Sequence, residues 1–85
     1  MRFAVSYCRP DTRNRFFFRH FKLVDGIAYP VGCQHFKVSR FCPFFSELEA
    51  FEIASTLSLM GYQSSLIPDF AFDSNVSPAV FKKYF

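Results

Sequence analysis

SELEAFEIASTLSLMG, residues Ser46–Gly61, is the one long stretch of the chain with a helical period, and it carries both a start and a stop signal. Ser46 suits a helix N-cap, where its hydroxyl accepts a hydrogen bond from an unpaired amide of the first turn. Glu49 follows at the spacing of a capping box. Glu47, Glu49 and Glu52 crowd the end where the helix dipole favours negative charge. Pro43 disfavours helix at Cys42, and Gly61 can take the left-handed conformation that closes a helix.

At about 100° per residue, Ala50, Ile53, Ala54, Leu57 and Met60 form one stripe, the expected core face. Its alanines let the helix lie close to whatever it covers. Leu48, Phe51, Ser55 and Leu59 form a second stripe on the opposite side. A helix that is apolar most of the way round is usually buried on more than one side. Either loops and the C-terminal tail cover the second stripe, or another subunit does. If the chain forms a homodimer, this stripe is the expected two-fold contact.

Outward from the helix the pattern turns to strands. Arg2–Cys8 alternates, with Phe3, Val5 and Tyr7 opposed to Ala4, Ser6 and Cys8. Arg15–Val24, RFFFRHFKLV, is the most strand-prone segment, and Asp25-Gly26 reads as a tight hairpin turn. Ile27–Val31 is a short return strand, ended by Gly32, in which Pro30 suggests an edge or a bulge. His35–Phe41 alternates again. After Gly61, YQSSLI reads as a strand stopped by Pro68. Asp69–Asn75 is loop-like, and Ser77-Pro78 opens a short helix through Tyr84. The expected fold is α+β: a small antiparallel sheet of four to five strands in meander order, with the helix across one face.

The 85 residues make a single domain. Thirty-four of them are Phe, Tyr, Val, Leu, Ile or Met. A core this small cannot hide that many, so apolar patches should remain outside, and such patches usually mark partner sites. Charge is uneven. Residues 1–42 hold eight Lys and Arg against two Asp (+6), and residues 43–85 hold two Lys against five acids (−3). The basic half suits an acidic protein surface, a nucleic acid or an anionic membrane surface, unless the fold neutralises itself. The Arg and Phe of residues 13–22 interleave with a strand period, however, and not with the helical one an interfacial helix needs. No apolar run approaches a membrane span, and MRFAVSYCRP lacks the apolar core of a signal peptide. Three cysteines do not complete a disulfide framework, so reduced thiols and a cytoplasmic location are expected.

The strongest candidate binding pattern is the basic aromatic strand. Strict alternation would set Arg15, Phe17, Arg19 and Phe21 on one side, with Arg13 ahead and Lys22 near. Such a face can hold carboxylates in Arg forks with Phe as anchors, or stack bases beneath phosphates. In a third arrangement Phe17 and Phe21 lie under the tail, with Arg stems packed over them. Cys33, His35 and Cys42 offer a single close pair, short of the two pairs typical of tetrahedral zinc. No oxyanion hole, glycine-rich phosphate loop or calcium loop is spelled out. The sequence is therefore read as a non-enzymatic protein-interaction module without metal or cofactor. It would act as an inhibitor or adaptor on another protein, through Arg13, Arg15, Phe17, Arg19, Phe21 and Lys22. Nucleic-acid binding through the same residues is the alternative.

Overall fold

The computed structural model describes residues 1–34, 43–72, 79, 82 and 83. Five strands and one main helix follow in the order β1 (Arg2–Cys8), β2 (Phe16–Val24), β3 (Ile27–Cys33), β4 (Phe45–Ser46), α1 (Glu47–Leu59) and β5 (Gln63–Pro68), and a 3-10 turn spans Asp69–Phe72. The strand expected at His35–Phe41 lies outside the described residues. Of the expected C-terminal helix, Ala79, Lys82 and Lys83 are described and helical.

The sheet is antiparallel, as expected, but its order is not a meander. β1 is central. Ser6 pairs with Phe17 of β2 and with Ser65 of β5, so β2 and β5 flank it on opposite edges. Phe3 pairs with Phe45 of β4 and with Pro68 of β5, which puts β4 on the β2 side. β2 and β4 thus divide one edge of β1. The return from α1 brings β5 to the other edge, a long-range pairing that short connections do not announce. β5 also runs through Pro68, the residue expected to stop it.

α1 covers one face of this sheet. Ala50, Ala54 and Leu57 pack on Val5, Tyr7 and Phe18, with Phe3, Phe45, Ile53 and Leu66 around them. The alternation of β1 sends Ala4, Ser6 and Cys8 to the other face, all buried. There Phe17, Ile67 and Ala71 form a second cluster with Cys33 and Phe72. The 3-10 turn supplies Ala71 and Phe72, so it is the lid of the second face.

The helix ends follow their sequence signals. The Ser46 hydroxyl accepts from the Glu49 amide and donates to the Glu49 carboxylate, each at 3.3 Å. At the far end the Tyr62 amide donates to the Leu57 carbonyl at 3.0 Å and the Gly61 amide to the Ser58 carbonyl at 3.1 Å. These are the paired bonds of a Schellman turn, with Gly61 in the left-handed region at φ 94°. The Ser64 hydroxyl donates to the Ala54 carbonyl at 2.8 Å, clasping α1 to β5.

The β2–β3 hairpin turns at Asp25 and Gly26, both at positive φ (52° and 77°), as a two-residue turn of primed type requires. β3 continues through Gly32 to Cys33, beyond the end expected for it. Gly32 extends the strand because only a residue without a side chain fits there. A Cβ would strike the Phe17 carbonyl oxygen and lie 2.8 Å from the Tyr7 hydroxyl.

Candidate functional site

Between Phe18, which pairs with Gly32, and His20, which pairs with Val31, the register of β2 shifts and Arg19 has no opposite partner. This one-residue bulge reverses the alternation beyond it. Phe18 and Phe21 therefore share the α1 side, with ring centroids 4.7 Å apart, and Phe21 packs on the α1-side core. Phe17 sits in the opposite cluster, 5.8 Å from Phe72. The single face expected for Arg15, Phe17, Arg19 and Phe21 is thus divided between two faces.

Phe17 is only 4% exposed, and Phe21 is half-buried. Arg15 reaches across β1. One of its guanidinium nitrogens donates to the Ser6 hydroxyl at 2.9 Å and to the Ser65 hydroxyl at 3.0 Å, and the two hydroxyls lie 2.8 Å apart. Ser6 is fully buried, so these bonds satisfy a polar group that would otherwise be costly there. Arg13, Arg19 and Lys22 remain exposed. None of Arg13, Arg15, Arg19 and Lys22 makes an ion pair among the described residues.

The bulge also marks where β2 leaves β1, since β1 and β2 pair only at Ser6–Phe17 and Tyr7–Phe16. Beyond it, residues 20–24 and 27–31 pair with each other as a two-stranded arm. Counting from the turn, Pro30 falls at a position whose backbone nitrogen points away from β2. That outer edge needs no amide, which is how β3 accommodates a proline.

The arm has two dissimilar faces. Phe21, Leu23, Ala28 and Pro30 continue the α1 side of the sheet. The opposite face carries the cross-strand pairs His20–Val31, Lys22–Tyr29 and Val24–Ile27. Leu23, Val24, Ile27 and Tyr29 are all exposed. Sequence reading had assigned no role to these four. A two-stranded ribbon with apolar side chains on both faces was the signal available for them.

The outer stripe of α1 is uncovered as well: Leu48, Phe51 and Leu59 are 69%, 63% and 90% exposed, and Ser55 is exposed. A third feature is an open groove of about 490 Å³ between the β1–β2 connection, β3 and Tyr62. Tyr7, Phe16 and Gly32 contribute to its lining, and Arg9, Thr12 and Asn14 come from the polar turn. Tyr7 stacks on Phe16 at 5.7 Å and meets Tyr62 edge-on at 5.5 Å. Among the described residues no three His, Cys, Asp or Glu side chains cluster closely enough to hold a metal ion. No helix among them is long and apolar enough to cross a membrane. The chain matches no protein-family model, and no curated protein or solved structure is significantly similar to it.

Proposed function

We propose that the chain is a small non-enzymatic protein-interaction module, an inhibitor or adaptor that docks on an acidic surface of a larger protein through its β2–β3 arm. The observation that carries this reading is the arm face on which Lys22 and Tyr29, and Val24 and Ile27, stand directly opposite one another, exposed. Aromatic and aliphatic side chains beside an unpaired cation are the composition of an interface core with a charged margin. Arg19 and Arg13 add positive charge that no described residue neutralises. Charge of this kind speeds encounter and sets orientation more than it adds affinity.

The nucleic-acid alternative drew on the same strand, but base stacking needs accessible rings. Phe17 is buried and Phe21 packs on the core, which leaves Tyr29 and the His20 imidazole as the exposed rings of the arm, without the run of phenylalanines the strand pattern offered. The protein reading is therefore preferred.

Affinity capture from native-host extract tests it, with the parent compared against a Lys22→Glu/Ile27→Ser/Tyr29→Ala variant. The expected result is a protein retained by the parent and lost with the variant. Identical retained sets would contradict the arm as the contact. An oligonucleotide that binds the parent at low salt and dissociates steeply as salt rises would favour the alternative instead.

A further inference from the structure

The open groove of about 490 Å³ combines two kinds of lining. Three rings in mutual contact form one part: Tyr7 stacks on Phe16 and meets Tyr62 edge-on. Tyr7 is buried, whereas Phe16 and Tyr62 are half-buried. Arg9, Thr12 and Asn14 form the other part, and all belong to the exposed connection between β1 and β2. None of these three side chains makes a hydrogen bond or ion pair among the described residues, and neither does the Tyr62 hydroxyl.

Charge is one-sided here. Among the described residues no acid lines the groove. Asp11, the acid of the same connection, makes no ion pair with Arg9. The Arg9 guanidinium therefore remains available to an anion, and Thr12, Asn14 and Tyr62 add hydrogen-bond donors. The rings favour a flat apolar body beside that anion. The volume lies within the range of small-molecule sites, roughly 300–1,000 Å³, and far above the ~30 Å³ of one water.

We infer that the groove is a binding site for a small planar anion, an aromatic ring that carries a carboxylate or a phosphate. The ring lies against Phe16 and Tyr62, and the anionic group meets Arg9. Lys22, Val24, Ile27 and Tyr29 do not line the groove, so this site stands or falls independently of docking through the arm.

Isothermal titration calorimetry of the full chain at low salt tests the inference. The ring-bearing anions are 3-phenylpropionate and phenyl phosphate. The controls are the neutral 3-phenylpropionamide and the ringless acetate and inorganic phosphate. At least one ring-bearing anion should saturate a single site with a Kd of about 1 mM or tighter, and the tighter of the two names the anionic group. All three controls should bind at least about tenfold more weakly. Arg9→Gln should erase the preference of the tighter anion over the amide. Arg13→Gln removes a cation of the same connection that does not line the groove, and should leave that preference intact. Thr12→Trp, at an exposed position, fills the groove and should abolish binding while keeping the circular dichroism spectrum of the parent. If it loses that spectrum, Asn14→Leu replaces it and should weaken the anion. No saturable binding of either ring-bearing anion at about 10 mM overturns the inference. So does an equal loss in the Arg9 and Arg13 variants, which assigns binding to general positive charge. An amide that binds as tightly as the anions overturns it too.

Discussion

Gly32 is the residue on which the join between arm and sheet depends. Its missing side chain lets β3 pass against the Phe17 carbonyl and the Tyr7 hydroxyl. Both sit in buried surroundings with no flexible end to move aside. Gly32→Ala should cost about 1–3 kcal/mol, the range for overpacking a close-packed site, read as a lower urea midpoint with an unchanged slope. A variant as stable as the parent would show that the contact is slack. Arg15 illustrates how one residue can look available and be committed. Its guanidinium is held by Ser6 and Ser65 across β1, so it ties the residue just ahead of β2 to β1 and β5 on the second face. From sequence, Arg15 is a candidate contact because strict alternation sets it on one side with Phe17, Arg19 and Phe21. That Ser6 and Ser65 face each other became knowable only once β1 and β5 were paired.

At the scale of elements, the helix was legible almost to the residue. Its signals are local: a cap at Ser46, a stop at Gly61 and a period of 3.6 between them. The hairpin was legible for the same reason, since Asp25-Gly26 encodes a turn without help from elsewhere. The bulge at Arg19 was not legible. Nothing in RFFFRHFKLV distinguishes an unbroken strand from one with an extra residue, yet a single insertion moves Phe21 to the opposite face. What decides is tertiary: with the bulge, both Phe18 and Phe21 reach the α1-side core. Deleting Arg19 should therefore destabilise the chain by at least about 1 kcal/mol, lowering Tm by about 4–8 °C. Arg19→Ala keeps the bulge and should stay within about 0.5 kcal/mol of the parent. Equal thermal midpoints for the two variants would show that the bulge has no structural role. Strand order escaped sequence reading for a related reason. Short connections favour neighbours in sequence, whereas β5 earns its place beside β1 through six residue pairs.

At the scale of the whole molecule, the surplus of apolar residues seen in the sequence reappears as two exposed surfaces, the arm and the outer stripe of α1. The asymmetry of charge persists too, because the cations of the arm find no carboxylate partner among the described residues. Of the candidate residues read from the sequence, Phe17 and Phe21 are spent on the two cores, while the exposed aliphatics and Tyr29 lie farther along the hairpin, because the bulge that separates them is not written in the strand pattern. Photo-crosslinking in the native host tests the arm as a docking surface most directly. A benzophenone side chain replaces Tyr29 in one experiment and Asp11, exposed in the polar turn, in another. The predicted result is one foreign protein joined at position 29 and none at position 11. No adduct at position 29, or the same adducts at both positions, would contradict docking through the arm.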